Sequence, residues 1–132
     1  MKKILFCSMM AALVCAACHK RSFDEVVAAE VEQFNKKEAP KRLDQCTTFD
    51  SMAYDMDTQT LSYYYTIEGQ LDGELFPVDL VKEELQKNLT SSIQLKAHKA
   101  HGLNFHYKYL SKQSGEPIVE CTFTKEDYQT VW

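Results

Sequence analysis

Residues 60–67 read TLSYYYTI. Leu61, Tyr63, Tyr65 and Ile67 alternate with Ser62, Tyr64 and Thr66. A period of two is the mark of a strand with one face against a core. The run upstream has the same period, with Met52, Tyr54 and Met56 set against Ser51, Ala53 and Asp55. Asp57-Thr58-Gln59 lies between the two and fits a hairpin connection. Downstream, Gly69 and Asp72-Gly73 mark a loop that runs from Glu68 to Pro77.

The period then changes. Val78, Val81, Leu85 and Leu89 fall on one helical stripe that Pro77 opens. Ser92 is expected to cap a short continuation to about His101, and Gly102 to end it in a left-handed conformation. A second hairpin follows, with Leu103, Phe105, Tyr107 and Tyr109 on one strand and Val119, Cys121 and Phe123 on the other. Before the first hairpin, Ser22 and Glu25 have the spacing of a capping box. Phe23, Val26, Val27, Val31 and Phe34 continue from there as a helical stripe ending near Lys37.

The order is therefore α-β-β-α-β-β, an α+β class. The economical arrangement is a four-stranded antiparallel sheet with both helices on one face. Tyr63, Tyr65, Tyr107 and Tyr109 then fill the core with their hydroxyls at its edge. The other face is open, and Tyr64, His106 and Lys108 lie on it beside Glu120 and Thr122. Those three residues are the candidate binding surface, because exposed aromatics are enriched where proteins meet partners.

The 132-residue chain begins MKKILFCSMMAALVCAAC, residues 1–18. Lys2 and Lys3 precede an apolar run from Ile4 to Val14, and Ala16, Ala17 and Cys18 follow. This is the three-part pattern of a secretory signal, too short for a comfortable membrane span. Cys15-Ala16-Ala17-Cys18 resembles the lipobox of bacterial envelope lipoproteins, with Cys15 standing where Leu is usual. The resemblance covers these first 18 residues alone. It implies a type II signal peptide over 1–17, lipidation of Cys18, a linker over 18–22 and one domain over 23–132. It further implies anchoring to a bacterial membrane, the outer one, facing periplasm or cell surface. Loss of Lys2 and Lys3 with the signal takes the formal charge from −4 to −6. An acidic balance argues against a nucleic-acid partner and against electrostatic docking on anionic lipid.

After cleavage the thiols besides Cys18 are Cys46 and Cys121. An even pair in an oxidising compartment makes a disulfide a candidate, with two buried thiols as the alternative. His98, His101 and His106 have no carboxylate or thiol at a ligand spacing, and their neighbours are cationic, so no metal site is assigned. Asp50-Ser51-Met52 resembles a short O-glycosylation signal that some bacteria use on envelope proteins. There is no Gly-rich phosphate loop, no nucleophile elbow and no distinctive carboxylate pair, and no cofactor is implied. The expected function is a noncatalytic, membrane-anchored module that binds a protein or ligand of the envelope. The alternatives are a periplasmic inhibitor or immunity-type protein using the Glu68–Pro77 loop as a wedge and, more remotely, a small metal protein or enzyme.

Overall fold

The computed structural model describes residues 21–129. The leader, the lipobox and Cys18 lie outside them. Helix α1 (Phe23–Glu38) starts at the capping box read from the sequence. Ser22 Oγ accepts from Glu25 N at 3.2 Å, and Glu25 Oε2 accepts from Ser22 N at 3.3 Å. Of its apolar stripe, Val27 and Val31 are buried, while Val26 and Phe34 remain 38% and 40% exposed.

The sheet has five strands rather than four: β1 (Lys41–Arg42), β2 (Thr47–Asp55), β3 (Thr60–Ile67), β4 (Asn104–Ser111) and β5 (Pro117–Phe123). Their spatial order is the chain order. It is also mixed rather than antiparallel, because β3 and β4 run parallel, with Thr60 opposite Asn104 and Ile67 opposite Ser111. The connection explains why. Helix α2 (Val78–Ser91) has 14 residues, or about 21 Å of rise. An eight-residue strand is about 26 Å long. One pass of α2 thus carries the chain back to the end where β3 began, which is the crossover a parallel neighbour requires.

Two shorter helices complete the fold, α3 (Lys96–Ala100) and α4 (Lys125–Tyr128). Ser92 closes α2 instead of capping α3, whose N-cap is Leu95 without a side-chain bond. Gly102 has φ +74°, the left-handed stop expected of it. Apolar side chains of α1 and α2 pack with Leu61, Phe105, Val119 and Phe123 in one core, so the helices share one face of the sheet as expected. Leu61, Ile67, Leu103 and Phe105 are at most 1% exposed.

A bulge at Asp50 reverses the alternation along β2. Phe49 faces Tyr65 and Met52 faces Tyr63, so the inward positions change from odd to even across it. Cys46 lies before the bulge and so does not share the inward facing of Met52. Cys46 and Cys121 are free thiols. Two strands separate β2 from β5, roughly 14 Å at ordinary strand spacing. A bridge needs Cα atoms within about 7 Å, so the sheet order overturns the disulfide.

Strand β1 covers only Thr48 and Phe49 of β2. Farther along, a helix residue replaces the missing edge strand. The Asn35 amide donates to Met52 O and accepts from Met52 N, both at 2.8 Å.

Candidate functional site

The sheet brings Tyr64, His106 and Lys108 together on its open face, as read from the alternation. Tyr64 is opposite Lys108, and its ring lies edge-on to His106 at 6.1 Å between centroids. The charged and imidazole groups of this face already have partners. His106 Nδ1 is 3.1 Å from Ser62 Oγ, and Glu120 Oε2 lies 3.6 Å from His106 Nε2 and 3.5 Å from Lys108 Nζ. Thr66 Oγ1 donates to Asp50 Oδ2 at 2.6 Å beside Ser51, the residue of the glycosylation-like triplet. A shallow hollow of about 350 Å³ between β2, β3 and β4 is lined almost wholly by polar and small residues. This face is a largely polar surface carrying Tyr64 beside a His106–Glu120–Lys108 cluster.

The opposite face carries a different feature. Helix α1 lies over β2, while α2 packs on β5 and α4, which leaves the middle of the sheet less covered. A groove of about 330 Å³ opens there between α1 and the Ser92–His98 segment. Met52, Leu61 and Tyr63 form its floor, and Val31, Phe34 and Leu95 line its sides. Phe34 at one rim is 40% exposed, and Ile93, on the segment that forms the other, is 86% exposed.

Four tyrosines run along this side of β3 and β4. Tyr63 stacks on Tyr107 at 4.9 Å and Tyr65 on Tyr109 at 4.5 Å, each pair within 8° of parallel. The parallel register sets them side by side. Their hydroxyls make no hydrogen bond within the described residues, where the only buried side-chain polar atom without a partner is His98 Nδ1. The hydroxyls therefore reach water, at the edge of the core as expected. Burial of the rings pushes Tyr65 up to about 12 and Tyr63, Tyr107 and Tyr109 higher. All four are neutral hydrogen-bonding groups at any physiological pH.

The histidines are dispersed. His98 Nε2 pairs with Glu30 Oε2 at 3.1 Å and ties α3 to α1 beside the groove. His101 stacks on Phe23 at 3.6 Å between centroids. His106 lies on the other face. Cys121 packs against the core, and burial raises its thiol. The Glu68–Pro77 loop is pinned at its base, where Asp72 accepts from Ser111 Oγ and Glu68 pairs with Arg42 and Lys112. Leu75 on that loop is 78% exposed.

Alternation located the open face but could not locate the groove. The groove depends on which strands the two helices cover, and that follows from the parallel crossover. The available signal was Ile93, an apolar residue outside the helical stripes, since Phe34 reads as one more member of the stripe of α1.

A family model described as "Domain of unknown function (DUF8479)" matches residues 22–119. No curated protein matches the sequence. Three solved structures share the fold. The pilotin EpsS of the Vibrio vulnificus type 2 secretion system aligns with a TM-score of 0.66 and 9% identity, over 82% of this chain and 93% of that one. The type II secretion system pilotin AspS of Vibrio cholerae aligns at 0.60 and 10%, over 79% and 90%. A Pseudomonas aeruginosa protein described as secreted aligns at 0.61 and 13%, over 83% and 100%. At such identities the likeness is one of fold.

Proposed function

We propose that this chain, which belongs to the DUF8479 family, is a noncatalytic, lipid-anchored envelope protein that holds a helical segment of another envelope protein. The groove between α1 and the Ser92–His98 segment carries this reading. It joins a floor of Met52, Leu61 and Tyr63, apolar side chains of Val31, Phe34 and Leu95 set among Glu30, Gln94 and His98, and an exposed Phe34 facing a segment that carries the exposed Ile93, a pattern into which an amphipathic helix can lay its apolar face. The shared fold with two secretion-system pilotins favours a partner within an envelope assembly over a small ligand. The lipobox at Cys18 supplies the address.

The test is site-specific photocrosslinking in intact cells of the source bacterium. A crosslinker at Phe34 or Ile93 is expected to give one adduct of fixed mass, the same envelope protein from both positions. The adduct from Phe34 should disappear on Ile93→Glu, and that from Ile93 on Phe34→Glu, each a change at an exposed position. Tyr64 and Lys108 report on the open face, which is the second candidate surface. An adduct from Tyr64 or Lys108 and none from the groove would move the site to that face. Detergent partitioning of wild type against Cys18→Ala tests the anchor separately, and equal partitioning into water would reject it. The inhibitor reading keeps one observation in its favour, the exposed Leu75 on a pinned loop. It predicts a crosslink from Leu75 to a single periplasmic enzyme.

A further inference from the structure

The lysines form a cluster that the groove does not use. Lys96 and Lys99 of α3, Lys125 of α4 and Thr90 at the end of α2 line a cleft of about 420 Å³. No carboxylate is in its wall. Lys99 Nζ donates to Leu89 O and Thr90 O, both at 2.9 Å, and so holds the cleft together. Lys96 and Lys125 have no ion pair among the described residues. The nearest carboxylates in sequence are turned to the start of α4: Glu126 Oε2 lies 3.1 Å from Thr124 Oγ1, and Asp127 Oδ2 accepts from Thr124 N at 2.7 Å.

The cleft lies at the end of the molecule where the N-terminal segment leaves. Strands β3 and β4 start there and β5 ends there. Phe23, the first residue of α1, stacks on His101, which directly follows the cleft residue Ala100. Cys18 precedes the Ser22 cap by four residues, a reach of about 14 Å at full extension. An acyl group on Cys18 would therefore hold this end of the domain against the bilayer.

We propose that the Lys96–Lys99–Lys125 cleft docks on anionic phospholipid headgroups and fixes how the anchored domain stands on its membrane. The inference rests on the lipid-anchor reading. The overall charge is acidic, but screening limits the reach of each charge to about 8 Å at physiological salt. The charges at the contact therefore decide the outcome, and each lysine near an anionic surface contributes about fivefold to binding.

The acylated mature protein would be reconstituted in vesicles of phosphatidylcholine alone and in vesicles containing about one-third phosphatidylglycerol. A membrane-impermeant amine reagent, read by mass spectrometry, reports the exposure of each lysine. Labelling of Lys96 and Lys125 should fall about fivefold on the anionic vesicles, while Lys41 and Lys112 at the far end stay unchanged. The double variant Lys96→Gln, Lys125→Gln should leave Lys99 equally labelled on both vesicle types. Equal labelling of Lys96 and Lys125 at both compositions would overturn the proposal. So would equal protection by inorganic phosphate added to the phosphatidylcholine vesicles, which would indicate a soluble anion. Failure of the protein to stay with any vesicle would reject the anchor instead, which a flotation step detects beforehand.

Discussion

Replacing Asn35 with Ala tests whether a helix side chain can stand in for an edge strand. In wild type one amide group meets both the N–H and the C=O of Met52, each at 2.8 Å, at a part-buried site. Alanine removes both partners and leaves two backbone groups facing a gap. A hydrogen bond contributes about 1 kcal/mol net, and a stranded buried group costs about 1–3 kcal/mol. The expected loss is about 2 kcal/mol, since water reaches part of the site. For a domain near 100 residues that is a fall in Tm of about 10 °C. Urea unfolding followed by far-ultraviolet circular dichroism should show a lower midpoint with an unchanged slope. Asn35→Asp adds a sign. Its carboxylate can accept from Met52 N but must face Met52 O, so its pKa should be raised in the folded state. The protonated acid restores the donor. Its contribution is then fully present below the ordinary Asp range and is lost as pH rises through the raised value. A loss under about 0.5 kcal/mol for Asn35→Ala, the range of ordinary surface changes, would refute the edge-strand account.

Three further outcomes follow from the core. Tyr65 is raised to about 12, and Tyr63, Tyr107 and Tyr109 higher, chiefly by burial. Their contribution to stability is complete below about pH 10 and is lost as pH rises beyond it. Phenolate absorbance should therefore appear together with unfolding, and gradual ionisation of all tyrosines in a folded protein would contradict the packing. The acylated mature protein should release two thiols to an aromatic disulfide reagent without prior reduction, Cys46 faster than Cys121. Thiols that appear only after reduction would restore the bridge. Phe105→Ala empties a site that is 0% exposed, with an expected cost of about 3–5 kcal/mol. An unfolding midpoint close to wild type would show that the centre of the core has been misplaced.

Local features were legible in the sequence where a local rule decided them. Ser22 and Glu25 are three residues apart, and the box they form needs nothing else. Gly102 terminates its helix because a left-handed residue has few alternatives to glycine. The inward rows of β3 and β4 follow from alternation, and so does the grouping of Tyr64, His106 and Lys108. What could not be read depends on distant parts of the chain. Nothing near Ile67 or Asn104 states that their strands run parallel, because the return of α2 decides it. The bulge at Asp50 is one unpaired residue, yet it reverses parity for everything before it, Cys46 included. Strand β1 is two charged residues, below the length at which any pattern exists. The groove is a gap between elements, and a gap has no sequence of its own.

The width of that gap limits what can enter it. With α1 over β2 and α2 over β5, the helices are about three strand spacings apart, or roughly 14 Å. Packed helices approach to about 8–10 Å, and a helix with its side chains is about 10 Å across. The space left is too narrow for a third helix to sink between them, but wide enough for one row of its side chains. A partner helix would therefore ride on Phe34 and Ile93 and press apolar side chains toward Tyr63. The Tyr63 hydroxyl has no partner among the described residues, so Tyr63→Phe removes no bond among them and should leave stability within about 0.5 kcal/mol. If a partner backbone or side chain reaches that hydroxyl, the same change should weaken complex formation about fivefold, one hydrogen bond's worth. Titration of the purified protein with the partner segment identified by crosslinking, read by fluorescence anisotropy, measures it. Unchanged affinity in Tyr63→Phe, with affinity lost in Phe34→Glu, would place the partner on the rim alone. Unchanged affinity in both would remove the helix from this groove.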